Sequence, residues 1–380
     1  MAELPESRAR DGIPATIAAT LAFQVRRDYS PHRLPARRDA HPKHHGTVQA
    51  EFRVRNDVPE SLRHGVLATP GASYPAWIRF SNAFRVRHDL VRDARGMAVK
   101  LMGVDPERRD ATQDFLMVTF PAFFAATAAD FLDFPAVVSM PSSGTGPGAA
   151  LGAFIRTARY FFRLHPFRFR WRAFRALRRS ATRTLSPLTL RYFSQTPYRL
   201  GPHVVKFGVR PHQQPSFGDR LRLELLAFVY GLNSLPFVKL TFAKWEHMLR
   251  DALFRTLASQ GADFDFVVQR QADPERMPID DATVVWDESA SPFVAVATIH
   301  IPPQPLDAAA IDERLAFSEQ LSFTPWHTLP EHLPIGSINE ARRVVYETIS
   351  SLRHDLNQTR RREPRPGESP ADFLRSLRLP

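Results

Sequence analysis

The alternation of apolar and polar residues that begins near His45 constrains the fold more than any other feature of the chain. Val48, Ala50, Phe52 and Val54 alternate with Gln49, Glu51 and Arg53, the period-two signature of a strand with one buried face. Ala76–Ser81 repeats the pattern, with Trp77, Arg79 and Ser81 on one face, and Gly96–Met102 is short and apolar. Phe264–Gln269 and Phe293–Ile301 follow much later, the second rich in β-branched residues. Long helical stretches separate these strands. The expected class is therefore α+β, an antiparallel sheet or barrel with helical insertions. The 380 residues, 29 of them Phe, can close a sizeable apolar core.

Around this body the chain divides by composition. Residues 1–36 read as an N-terminal arm with one short helix, ended by Pro31 and Pro35. Residues 37–357 read as one domain, interrupted by a Gly/Pro/Ser connector at Met140–Ala150 and a basic insertion at about 150–186. Residues 358–380 read as a basic, flexible tail, in which Ser369-Pro370 opens a last short helix carrying Phe373, Leu374 and Leu377.

The chain has no cysteine. That excludes disulfides, thiol nucleophiles, Cys-ligated zinc, iron–sulfur clusters and thiolate-ligated or covalently attached heme. A metal site must use His, Tyr or carboxylates. Glu3 and Glu6 replace a signal-like start, Ile13–Phe23 is too short to span a bilayer, and Leu225–Phe242 is broken by Asn233, Pro236 and Lys239. A cytoplasmic protein is expected, with a membrane-peripheral variant of that expectation raised by the charge. The net charge of +12 is concentrated: no Asp or Glu occurs between Asp133 and Asp219, while Arg is dense from Arg156 to Arg183. Such an excess favours anionic partners.

Ser337-Ile338-Asn339-Glu340 has the form of a capping box opening a helix that runs to about Asn357. At helical spacing Arg342, Tyr346, Ile349 and Arg353 share one stripe. A tyrosine oxygen binds ferric iron best as phenolate, and a guanidinium one turn earlier, as at Arg342, favours that anion. Arg353 could reach a carboxylate of the same ligand. From this helix alone, a surface helix with solvated arginines and a half-buried tyrosine is the leading reading.

Other motifs decide between these readings. Arg342-x-x-x-Tyr346 with Arg353 resembles the proximal signature of heme catalases. Arg79-Phe80-Ser81-Asn82 and the stretch from Val91 to Lys100 resemble the most recognisable catalase segment, continued in order by Thr112–Phe115 and Pro121–Phe124. Arg38, His41, Pro42 and Lys43 resemble the distal motif. Tyr192–Tyr198, and Pro325-Trp326-His327 through Gly336–Asn339, are similar to the short catalase-related subgroup, which includes small peroxidases and allene oxide synthases. The resemblance covers roughly Arg38–Phe131 and Pro187–Asn357. It implies a catalase-like antiparallel β-barrel with a C-terminal proximal helix and heme b as cofactor.

By this resemblance Tyr346 is the iron ligand, with its phenolate charge stabilised by Arg342. Arg38, Arg79 and Arg353 hold the propionates, and Phe131 packs near the heme face. His41 is the distal base and Ser81 the hydroxyl that orients it. The gap from His41 to Phe52 is one residue longer than in large catalases, which leaves His44 and His45 as rivals. One departure affects the chemistry. Large catalases place Asn three residues before the Pro of the Pro-x-Phe-Phe motif, where this chain has Val118; Thr119 should point elsewhere on an extended backbone. Without that amide, a larger organic hydroperoxide becomes a better substrate than hydrogen peroxide.

In the basic insertion, Arg156, Arg159 and Arg163 form one helical stripe, and Arg168, Arg172, Arg175 and Arg179 a second beside Phe167, Trp171 and Phe174. This reads as an interfacial amphipathic helix over 154–183, with a helical hairpin covering the barrel as the plain alternative. No nucleic-acid motif accompanies it. The resulting expectation is a heme-dependent peroxidase of catalase-like type, with weak catalase activity, acting on hydrogen peroxide or organic and lipid hydroperoxides. An allene-oxide-synthase-like isomerase of fatty acid hydroperoxides and a heme-free lipid-binding protein are the alternatives, and a homo-oligomer is compatible with each.

Overall fold

In the computed structural model, residues 4–29, 34–83, 86, 88–132, 170–232 and 245–378 are described, with side chains from residue 12 onward. The alternating segments become strands that hydrogen-bond in one antiparallel sheet. These are β1 (Lys43–Val54), β2 (Ser73–Asn82), β3 (Asp93–Met102), β4 (Thr112–Val118), β5 (Ala181–Thr182), β6 (Tyr192–Phe193), β7 (Tyr198–Leu200), β8 (His203–Pro211), β9 (Ala262–Arg270) and β10 (Val294–Ile301). The order β2-β1-β10-β9-β8-β6-β4-β3, with β3 pairing back to β2, closes eight of them into a barrel. Closure removes the unpaired edges that an open sheet would expose.

Period two then sorts the side chains. Val48, Phe52, Ile78, Phe80, Val99 and Phe115 point inward and are 3% exposed or less. Phe115 lies 4.7 Å from Phe266 and 5.0 Å from Phe207, ring to ring, within a phenylalanine cluster that fills the barrel. The opposite face of β2, β3 and β4 carries a cross-strand row, Ser81 beside Gly96 beside Val118, extended to Phe193 on β6. One step along, Arg79, Ala98 and Leu116 form a second row.

The described helices are α1 (Leu4–Asp28), α2 (Ala128–Leu132), α3 (Trp171–Ser180), α4 (Phe217–Gly231), α5 (Met248–Leu257), α6 (Ala308–Gln320), α7 (Ser337–Leu356) and α8 (Pro370–Ser376), and Leu253, Phe254 and Leu257 of α5 join the barrel core. Helix α7 follows the predicted span, but its start differs. Gly336, at φ 89°, is the N-cap; Ser337 makes no side-chain cap, and its amide donates to Asp280 Oδ1 at 2.7 Å. The capping box expected there is absent because Asp280 already takes that amide.

Two terminal expectations are also corrected. The N-terminal segment holds a helix of 25 residues rather than a short one, and Ile17, Leu21 and Val25 bury against Ala341, Ile349 and Leu352 of α7. The segment after 357, expected to be flexible, is packed. Phe373 and Leu377 are 0% and 1% exposed against Trp77 and Phe317, and Glu363 pairs at 2.6 Å with the buried Lys100. Ser369 caps α8 as expected, accepting from the Asp372 amide. Among the described residues no helix is long and apolar enough to cross a membrane.

Candidate active site

Between the outer face of β2–β4 and helix α7 lies a cavity of about 280 Å³. The predicted residues Arg38, His41, Arg79, Ser81, Phe131, Arg342, Tyr346 and Arg353 all line it. On the α7 side, the stripe Arg342, Tyr346, Ile349 and Arg353 faces inward as its spacing requires. Arg342 Nη2 donates to the Tyr346 phenol at 3.5 Å, and Nη1 donates to Thr196 Oγ1 and Asn339 Oδ1, each at 3.1 Å. Burial opposes the Arg342 charge, but the Tyr198 and Tyr346 oxygens outweigh it and raise its pKa above the usual arginine value.

His41 lies on the other side. Its Nδ1 is 2.9 Å from Ser81 Oγ. The backbone here is left-handed, φ 59°, a costly conformation for histidine. It is held by the His41 amide donating to Ala83 O at 2.9 Å and by Arg79 Nη2 donating to His41 O at 3.0 Å. The imidazole lies over Gly96, where a Cβ would come within 2.5 Å of the ring. Only glycine leaves that space open. Burial, reinforced by the charges of Arg79, Arg38 and Arg342, pushes the imidazole down to about 3, so it is neutral near pH 7.

Neither rival histidine reaches the cavity. His44 Nε2 pairs with Glu319 at 3.3 Å and His45 Nε2 with Asn82 Oδ1 at 2.8 Å. Strand β1 bulges between His44 and Gly46, the place where an extra residue between His41 and Phe52 is absorbed. Thr119 also turns away, its hydroxyl donating to Ser180 O at 2.9 Å. Val118 faces the cavity, with Ala83, Ala94, Phe123 and Phe193 also on its wall. Phe131 sits in α2 with its ring 5.6 Å from Phe123.

Three guanidiniums crowd one edge. Arg38 donates to the main-chain oxygens of Ser318, at 3.3 Å, and Leu321. Arg353 donates to those of Glu319 and Leu321, the latter at 3.2 Å. Glu319 lies 3.7 Å from Arg38, while among the described residues neither Arg79 nor Arg353 has a carboxylate within ion-pair distance. Arg79 Nε is buried without a hydrogen-bond partner. Burial and the Arg38 charge hold Arg79 well below the usual arginine range, and the same two causes push Arg353 down to about 9. Burial alone would raise the Glu319 carboxyl, yet the His44 hydrogen bond and the Arg38 charge keep it below its ordinary value. The edge carries more positive charge than its carboxylate answers.

Sequence reading missed Glu319, which belongs to no motif on α6, and Gln195, which lines the cavity at φ 62° and donates to Ala122 O at 2.6 Å. Arg156, Arg159, Arg163, Phe167 and Arg168 lie outside the described residues. Arg172, Arg175 and Arg179 fall on α3, and Ser180 at its end lines the cavity.

A closed antiparallel barrel with helices packed outside it and a helix-backed cavity on its outer wall is a catalase-like fold. The Catalase family model matches residues 6–143, a segment that includes His41, Arg79 and Ser81. A fungal catalase superposes with TM-score 0.63 at 16% identity, covering 90% of this chain and 62% of its own. Catalase A from Saccharomyces cerevisiae gives 0.62 at 16%, covering 88% and 64%, and a bacterial catalase 0.61 at 16%, covering 84% and 59%. No curated protein matches in sequence. The chain thus has the catalase fold, and its residues 6–143 resemble the Catalase family. It spans about three-fifths of the length of the catalases it matches.

Proposed function

We propose that the cavity binds heme and that the protein is a heme-dependent peroxidase that favours organic hydroperoxides over hydrogen peroxide. The observation that carries this reading is the edge formed by the buried Arg79 and Arg353 and the half-buried Arg38, three guanidiniums with one carboxylate among them. A flat dianion inserted between α7 and the barrel would supply the missing charge and a partner for Arg79 Nε. A lipid carrier has no need of that edge or of the Arg342–Tyr346 pair.

Tyr346 would hold the iron, and Arg342 stabilises its phenolate. Bound heme supplies the redox chemistry by which a peroxide O–O bond is cleaved. The chain itself moves the proton. His41 is neutral, and in the tautomer whose Nδ1–H donates to Ser81 Oγ its Nε2 is the nitrogen that would accept the hydroperoxide proton and deliver it to the leaving oxygen. Val118 offers no hydrogen bond to a small peroxide, while the apolar wall of Ala83, Ala94 and Phe193 gains from burying an organic group.

The test is the absorption spectrum of protein expressed with a heme precursor, beside Tyr346→Phe. A high-spin ferric Soret band in the wild type, lost or shifted in the variant, is the expected result. No Soret band in the wild type would end the heme reading. Turnover of a fatty acid hydroperoxide without an added electron donor would reassign the enzyme as an isomerase.

A further inference from the structure

Helix α4 is apolar on two opposite faces. Leu223, Leu226 and Tyr230 pack inward with Leu90, Leu185 and Met248. Phe217, Leu221, Leu225 and Phe228 point the other way and are 83%, 62%, 61% and 67% exposed. At helical spacing these four fall within about 80° of arc, a continuous stripe. The helix is well defined, opened by a capping box of Ser216 and Asp219. A contiguous apolar stripe of this kind on an otherwise well-buried protein marks an interaction surface.

The surrounding charge identifies what it meets. On α4 itself the exposed Arg220 and Arg222 are balanced by the exposed Asp219 and Glu224, so the positive charge comes from α3. Helix α3 turns Arg172, Arg175, Arg178 and Arg179 outward and contains no acidic residue. The two helices adjoin the same segment. Strand β5, which continues α3, pairs with Asp93 and Ala94, while the Tyr230 ring of α4 lies 4.8 Å from that of His88, tilted by 34°. Apolar side chains beside a run of arginines suit an anionic bilayer interface, where the former enter the acyl boundary and the latter meet headgroups. We propose that α4 is the apolar anchor by which this protein docks on an anionic lipid surface, with α3 as its basic flank. Ser180 at the end of α3 and Ala94 on β3 line the cavity. The docking itself does not depend on the chemistry proposed for the cavity.

Vesicle sedimentation of the full chain tests this, with phosphatidylcholine vesicles alone and mixed with phosphatidylglycerol. Wild type should pellet with the mixed vesicles and remain in solution with the neutral ones. Leu221→Ser/Leu225→Ser/Phe228→Ser should lower the partition coefficient by more than about tenfold, and Arg175→Glu/Arg178→Glu should also weaken it. Since the chain lacks cysteine, Leu225→Cys accepts a single environment-sensitive dye. Its emission should shift to the blue on mixed vesicles, whereas a dye at Asp312→Cys on α6 should not respond. This second readout stands even if the triple variant fails to fold. Binding to neither vesicle, equal binding to both, unchanged binding by a folded triple variant, or a dye at 225 that stays in water would each overturn the proposal. A wild-type dimer abolished by the triple variant would assign the stripe to a second copy instead.

Discussion

The α7 side of the cavity and the His41 side are built by different means. On the α7 side and its arginine edge, polar groups are numerous and held by main-chain oxygens: Arg38 and Arg353 share the carbonyl of Leu321, and Arg342 has hydroxyl and amide oxygens within 3.5 Å. The His41 side carries the His41–Ser81 pair and Ser180, set among Ala83, Ala94, Val118 and Phe193. On the proposed reading the first arrangement would fix a charged cofactor, and the second would give His41 an apolar chamber in which the substrate's organic part is buried. Retention of the cofactor and choice of peroxide would then fall to separate walls, each open to alteration alone.

The largest effect expected from this division is at His41. His41→Ala should cut hydroperoxide turnover by roughly 10²–10⁴-fold while leaving heme content unchanged by absorption. Heme lost in step with activity would collapse the distinction between the walls. Next is Arg38→Gln, which removes a half-buried charged donor and should speed heme transfer to an acceptor apoprotein by roughly tenfold or more, with turnover per bound heme preserved. Smaller still, Val118→Asn should raise the ratio of hydrogen peroxide to organic hydroperoxide turnover by about fivefold, the effect of one net hydrogen bond. An unchanged ratio would show that Val118 does not set substrate choice.

The smallest effect on turnover is that of pH. Burial depresses His41 to about 3 from an ordinary 6.5, so proton transfer should persist below pH 6 rather than titrate away there. Stability behaves differently. The unfolded chain takes up protons as pH falls through 6.5, while His41, His45 and His332 in the folded chain resist until about 3. Stability from these groups is therefore full above 6.5 and lost progressively as pH falls toward 3. Melting curves should show a falling midpoint across a window in which the per-molecule rate at low temperature holds.

The sequence reveals elements where pattern and burial coincide. β1, β2, β3, β9 and β10 are legible because one face is apolar. β8 is not, since Val204 and Val205 are adjacent and Lys206 is buried between Val205 and Phe207. Tyr346 and its arginines can be read from spacing because one helix carries all of them. Glu319 cannot, because its partners Arg38 and His44 come from the other end of the chain. The tail misleads for the same reason: Arg362 and Glu363 suggest solvent until Glu368 and Lys100 are seen beside them.

That last pairing bears on how the protein is made. Lys100 is wholly buried, and its Nζ lies 2.8 Å from Asp114 and 2.6 Å from Glu363. Asp114 leaves the ribosome soon after Lys100, but Glu363 comes far later, after every barrel strand has been synthesised. During translation the ammonium must therefore stay hydrated or rely on one carboxylate, which leaves the β2–β4 wall beneath α8 as the part of the barrel that a nascent chain completes last.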